Sequence, residues 1–200
     1  DWQEIPLSME IDSDLFATAD SSIVFSSHAT IYKVTPAGAC THVGELKKGE
    51  RILGCGLTAR GTTLYHKGTK VADALHGLVA AQVLSDGQYL ALCNDRAKSK
   101  PNVWVVSAGS RALAVAPDYR FCVTGEAHTH HLLSTIISQQ GEMLHSEPFY
   151  YLHDLSNGVL QPAGNMAFDT KGNLYVATEM GVQVADHNGR VRAILSLPAG

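Results

Sequence analysis

Charge is scarce in this chain of 200 residues: Asp, Glu, Lys and Arg together make up 17%. The 15 basic residues are outnumbered by 19 acidic ones, for a net charge of −4. The densest basic run is Arg96, Lys98 and Lys100, a solvated loop rather than the stripe that a nucleic-acid backbone needs. Long apolar runs are missing too, and none approaches the roughly 18 residues of a membrane span. The start, Asp-Trp-Gln-Glu, has neither the basic nor the apolar part of a signal peptide. If the protein is exported, its signal is already removed, so the compartment stays open. No C-x-x-C pair occurs among Cys40, Cys55, Cys93 and Cys122, which argues against a zinc knuckle or a thioredoxin-type site. Each cysteine lies in an apolar, strand-like segment and is expected to be a buried free thiol. Gly109-Ser110-Arg111 is the nearest approach to a Gly-x-Ser-x-Gly elbow and lacks its second glycine. Gly54-Cys55-Gly56 lacks the third glycine and the following helix of a dinucleotide fingerprint.

A sustained 3.6-residue apolar period is also absent. Short apolar or alternating runs recur instead, bounded by Gly, Asp, Asn and Pro, and these predict strands near 22–27, 30–35, 62–66, 89–93, 103–107, 120–124, 132–138, 173–178 and 182–185. Segment 70–84 contains Val71, Gly77, Val79 and Val83 and reads as two strands rather than a helix. Aligning the turns reveals a repeat of strand, tight polar turn and strand at 56–65, 82–92, 114–123 and 166–176, with a fainter copy at 16–25. Asp-Gly and Arg-Gly pairs suggest two-residue hairpin turns, where positive φ is required. Turn centres near 20, 60, 86, 118 and 171 are spaced roughly as the blades of a propeller. The expected fold is therefore all-β, a single β-propeller domain over 1–200 with five recognisable blade units; an irregular β-sandwich is the structural alternative. In a propeller the residues just before each first strand gather at one mouth of the central channel, and a site is sought there.

The stretch 164–198, from Gly-Asn-Met-Ala-Phe-Asp through Asn-Leu-Tyr-Val-Ala-Thr to Ala-Ile-Leu-Ser-Leu-Pro, resembles the late-blade signature of the gluconolactonase / senescence-marker-protein family. Ala112-Leu-Ala-Val-Ala-Pro-Asp, Ile136-Ile-Ser-Gln-Gln-Gly-Glu-Met and Pro148-Phe-Tyr-Tyr-Leu fit the same pattern in order. The resemblance covers 110–200 in motifs and 10–108 in turn spacing alone. It implies a six-bladed propeller and, in active members, a divalent-metal-dependent lactonase or ester hydrolase. In the family another blade follows the segment that here ends at Gly200, so the last blade is expected to be missing. The chain then reads as a shortened propeller or a fragment completed by another chain or domain.

The resemblance also implies metal ligands: a Glu before the first blade, an Asn in a later turn and an Asp in an Asp-Gly-Met turn. These positions fall here near Ser13, on Arg111 and on Gly164. A one-residue slip would offer Asp12 or Asp14 and Asn165 to Ca²⁺, but Arg111 would repel a dication. Arg111 and Asn165 are instead candidate ligand-binding residues, with Arg111 as an anion anchor. His128 and His130 alternate and on a strand could share Zn²⁺, whereas the family alignment puts them in a turn between outer strands. Asp169 is a polar survivor whose ordinary role is to cap a hairpin turn. Phe149, Tyr150 and Tyr151 are expected to pack between blades. No cofactor is expected outside the lactonase reading, which would take Ca²⁺ or Zn²⁺. Three functions follow: a non-catalytic binding or structural module (a pseudoenzyme), a divergent metal-dependent lactonase acting on sugar lactones, and a module that binds a small anion at the channel mouth.

Overall fold

The computed structural model describes residues 7–13, 15–18, 20–54, 56–84, 87–94, 99, 101–107, 112–125, 129–140, 142–154 and 163–196. Five sheets follow one another along the chain, and no α-helix occurs among the described residues. Blade 1 contains β1 (Phe16–Ala17), β2 (Ile23–Ser27), β3 (Thr30–Val34) and β4 (Cys40–Glu45). Blade 2 contains β5 (Glu50–Gly54), β6 (Leu57–Arg60), β7 (Thr63–His66) and β8 (Thr69–Ala72). Blade 3 has β9 (Leu78–Val83), β10 (Tyr89–Cys93) and β11 (Val103–Ser107). Blade 4 is β12 (Leu113–Val115), β13 (Phe121–Gly125), β14 (His131–Ile137) and β15 (Met143–Tyr151). Blade 5 comprises β16 (Met166–Phe168), β17 (Leu174–Thr178), β18 (Gly181–Ala185) and β19 (Val191–Leu195). The first strands β1, β5, β9, β12 and β16 neighbour one another in that order and form the inner ring of a propeller. Segment 70–84 supplies β8 and β9, two strands as its valines require.

Turn chemistry sets the phase of the repeat. The hairpins β1–β2, β12–β13 and β16–β17 turn through Ser21, Tyr119 and Gly172, each at positive φ (62°, 58° and 83°). At β16–β17 the Asp169 and Asn173 backbones close a loop one residue longer than the expected two-residue turn. Asp169 caps it, accepting from the Lys171 and Asn173 amides at 2.8 and 2.9 Å. Two-residue turns occur one strand later: His28–Ala29 joins β2 to β3 and Gly61–Thr62 joins β6 to β7. The turn at residue 60 therefore lies between the second and third strands of blade 2, out of phase with those near 20, 86, 118 and 171.

Blade 3 departs from the others. β11 pairs with β10 in parallel, so it runs in the direction that the fourth strand takes elsewhere. Ser99, in the connection 94–102, accepts from the Val105 amide at 3.2 Å on the edge turned away from β10. Ser99 thus covers one amide of an edge that no described strand pairs.

The core lies between successive blades because each sheet is apolar on both faces. Leu57, Leu64 and Leu75 meet Ala91, Cys93 and Val103 between blades 2 and 3. Leu113, Cys122 and Ile137 meet Leu90 and Leu92 between blades 3 and 4. Leu132 and Tyr150 meet Met166, Leu174 and Val176 between blades 4 and 5. Burying each Leu contributes about 1.5–3 kcal/mol. Gln183, fully buried, bridges the last pair: its Oε1 accepts from His153 N at 2.8 Å, and its Nε2 donates to His153 O at 2.7 Å. The opposite face of blade 5 carries Ala167, Tyr175, Ala177, Val182, Val184 and Leu195 in register, and none of these is buried.

Two expectations need correcting. Cys40 is exposed on the outer strand β4, whereas Cys93 and Cys122 are the buried free thiols expected; Cys55 lies outside the described residues. Tyr150 packs between blades, but Phe149 and Tyr151 on β15 are 42% and 53% exposed, because a fourth strand has its outer side in solvent.

Candidate functional site

Because the first strands run in one sense, residues preceding them collect at one mouth, joined there by residues that follow the second strands. A central cavity of about 770 Å³ opens at this mouth. It is bordered by Phe16 and Ala17 of β1, by Arg51, Leu53 and Gly54 of β5, by the whole of β9, by Leu113 of β12, and by Met166 and Ala167 of β16. Asn94, just after β10, and Asn165, just before β16, stand at the mouth and border it too.

Arg51 is the one formally charged side chain among the described residues of this lining. It lies on the face of β5 turned to blade 3, where its Nη1 donates to Val79 O at 3.0 Å and its Nη2 donates to Leu78 O. Two backbone carbonyls at the start of β9 thereby fix the guanidinium at the mouth. Gln82, deeper along β9, is occupied on both sides of its amide: Oε1 accepts from Val115 N at 3.0 Å and Nε2 donates to Leu113 O at 3.3 Å.

A second hollow of about 570 Å³ adjoins the mouth and is bordered by Asp12, Ser13, Glu50 and Arg51. Asp12 fastens the segment before β1 to blade 1. Its Oδ1 accepts from Ser26 Oγ at 2.6 Å and its Oδ2 accepts from His28 N at 2.7 Å. The Ser26 hydroxyl, followed by the His28 amide, holds the Asp12 carboxyl below the usual range. The His28–Ala29 turn that it supports has φ of 49° and 68°, a conformation that costs non-glycine residues energy. Ser13 Oγ accepts from Ser26 N at 2.7 Å. Burial pushes the Glu50 carboxyl up, but hydrogen bonds from the Thr58 hydroxyl and the Lys47 amide outweigh it and leave the group lowered.

The remaining candidates lie as follows. Gly164 N donates to Ala177 O at 2.9 Å, and a Cβ at this position would stand 3.1 Å from both the Cβ and the carbonyl oxygen of Ala177. His130 falls in the turn before β14, with its ring edge-on to His131 at 4.3 Å and its Nδ1 buried without a hydrogen-bond partner. Asp14, Arg111 and His128 lie outside the described residues. The structure therefore brings Asp12 and Asn165 to one mouth and leaves His130 on the outer strands of blade 4. Arg51 was not singled out in the sequence: within Glu50-Arg-Ile-Leu it reads as an ordinary solvated charge at a strand start. Its position in the first strand of blade 2 was hidden by the out-of-phase turn at residue 60.

A hard divalent cation takes about six to eight oxygen ligands, largely carboxylates. The described lining of the central cavity provides no carboxylate and places Arg51 at its mouth. Among the described residues, no group of three or more His, Cys, Asp or Glu could hold a metal ion. The described residues therefore do not fit the Ca²⁺ or Zn²⁺ that the resemblance implied. No described helix is long and apolar enough to cross a membrane.

No protein-family profile and no curated protein matches the sequence. Solved structures do. A Thermus thermophilus protein assigned as an oxidoreductase (glucose dehydrogenase) aligns with a TM-score of 0.54 at 15% identity, covering 99% of this chain and 87% of its own. Regucalcin, a calcium-binding protein from Agrobacterium tumefaciens, aligns with a TM-score of 0.53 at 11% identity, over 92% of this chain and 74% of its own. A gluconolactonase from Xanthomonas campestris aligns at 0.45 and 15% identity over 92% of this chain, which spans only 61% of that protein's length. Identities this low speak for the fold alone. The described residues form an all-β propeller of five blades, and neighbours of the chain among solved structures include gluconolactonase and regucalcin.

Proposed function

We propose that this propeller is a non-catalytic binding module that takes a small anionic ligand at the mouth of its central cavity. The lining carries the reading: it includes Arg51, Asn94 and Asn165 and no carboxylate among the described residues. A guanidinium held in place by two carbonyls offers an anion a charge with little ordering cost. Lactone hydrolysis instead needs a metal-bound or base-activated water, hence a carboxylate, a histidine or a cation beside the reacting carbonyl. None of the described lining residues is a carboxylate or a histidine. The Asp12 carboxylate already accepts two hydrogen bonds, and the Gly164 position is crowded by Ala177.

The test is thermal unfolding after exhaustive chelation, with phosphate, octanoate, Ca²⁺, Zn²⁺ or Mn²⁺ added separately. A ligand at a hundred times its dissociation constant stabilises the folded state by about 2.7 kcal/mol. A shift with at least one anion and none with Ca²⁺ is expected. A Ca²⁺-dependent shift accompanied by hydrolysis of a sugar lactone would restore the lactonase reading, and a shift with Zn²⁺ alone would direct attention to His128 and His130.

The structural half of the proposal is a partner chain or domain that lays a further sheet on the open face of blade 5. Support comes from Val182, Val184 and Leu195, apolar residues in register that no described blade buries. Uptake of a hydrophobic dye by the chain alone, lowered by Val184→Lys, is expected; no uptake would remove the argument.

A further inference from the structure

The central cavity has two unlike ends, and this bears on the body of its ligand as well as its charge. The polar side chains stand at one mouth: Arg51 near the start of β5, Asn94 after β10 and Asn165 before β16. Away from that mouth the apolar side chains that stay partly exposed in the wall are Phe16, Ala17 and Val83, at or near the far ends of their strands. Gln82 is the exception in this wall, and both sides of its amide are spent on blade 4. A polyhydroxylated body lying along this wall would leave hydroxyls without side-chain partners, a loss for each one desolvated. An apolar body would exchange water for apolar contact where it lies against Phe16, Ala17 and Val83. The volume of about 770 Å³ lies within the range of small-molecule sites.

Resting on the anion reading of the same cavity, we infer that its ligand is an organic monocarboxylate with an apolar body, its head at Arg51 and its tail along Phe16 and Val83. Sugar acids are the class it disfavours.

Calorimetric titration of the purified chain with acetate, butyrate, hexanoate, octanoate, D-gluconate, 1-octanol and octylammonium tests both parts. Affinity is expected to rise about fourfold for each methylene added to the carboxylate. Octanoate should bind more tightly than gluconate, 1-octanol more weakly than octanoate, and octylammonium most weakly. Ala167→Trp, which fills the cavity from an exposed position on β16, should weaken octanoate binding at least tenfold while the melting temperature stays within the spread of replicates.

Gluconate binding as tightly as octanoate, or no dependence on chain length, would overturn the apolar body and leave the anion reading standing. Octylammonium or 1-octanol binding as tightly as octanoate would overturn the anion reading itself. Binding of none of the probes would overturn both. Octanoate affinity unchanged in a folded Ala167→Trp variant would place the site elsewhere and also refute the inference.

Discussion

Replacing Gly164 with alanine sets two effects of opposite sign against each other. Gly164 is not among the positive-φ glycines, so its backbone accepts any residue. On conformational entropy alone, Gly164→Ala should stabilise the fold by about 0.4–1 kcal/mol. The new methyl group, however, would lie 3.1 Å from the Cβ and from the carbonyl oxygen of Ala177, where carbon contacts settle at about 3.5–4 Å. The backbone has little room to withdraw. Gly164 N donates to Ala177 O at 2.9 Å and Ala177 N donates to Asn165 O at 3.1 Å, so retreat would break the pairing that holds the segment before β16. Overpacking of this kind costs about 1–3 kcal/mol. The clash should win by about 1 kcal/mol, a fall in Tm of roughly 2–4 °C in a chain of this size. Ala177→Gly removes one of the two close contacts. The double variant should therefore recover part of the loss, with a coupling of about 0.5–1 kcal/mol in a thermal double-mutant cycle. The reasoning is refuted if Gly164→Ala is as stable as the parent or more so. The result bears on function, because Gly164 is where the resemblance placed a carboxylate ligand. Gly164→Asp would meet the same Ala177 atoms, and calcium should not raise its Tm.

Three further outcomes are expected. Gln183→Ala deletes both hydrogen bonds to His153 and opens a cavity between blades 4 and 5, so it should cost about 3 kcal/mol and lower Tm by roughly 6–12 °C in a thermal melt; a loss under about 1 kcal/mol would mean that water replaces the amide. The Asp12 carboxyl is lowered in the folded state, so its stabilising effect is present above the ordinary carboxylate range and is lost as pH falls through the folded value. Asp12→Asn should therefore be less stable than the parent at neutral pH and lose less stability on acidification below about pH 4, read from urea midpoints across pH; parallel curves would refute the role. A thiol reagent should label Cys40 rapidly in the native protein. Cys93 and Cys122 are buried and should react only on unfolding; in the folded state burial also pushes the Cys122 thiol up to about 12, which keeps it protonated.

Alternating valines and leucines made most strands legible, as at 89–93, 103–107 and 173–178, because a sheet buried on both faces leaves little else for those positions to be. Pairing direction was not legible. The parallel pairing of β11 with β10 depends on a connection whose outer-edge contact, Ser99 to Val105, has no local signature. The resemblance placed its carboxylate at Gly164, and the structure adds the reason for a residue without a side chain there, namely the proximity of Ala177.

Arg51 was hidden for a different reason. Arg60-Gly61 and Asp86-Gly87 look alike in sequence, but the first turns between second and third strands, so the true inner strand of blade 2 begins at Glu50. Aligning on the wrong turn puts Arg51 outside the blade, where a charge means only solvation. Placed on β5 it faces β9, and its guanidinium closes on two carbonyls across the channel mouth. A shift of one strand in the repeat thus converts an unremarked surface arginine into the only charge in the described cavity lining. In a propeller the phase of the blade, more than the composition of any segment, decides which residues meet a ligand, because the first strand of each sheet borders the axis along its length.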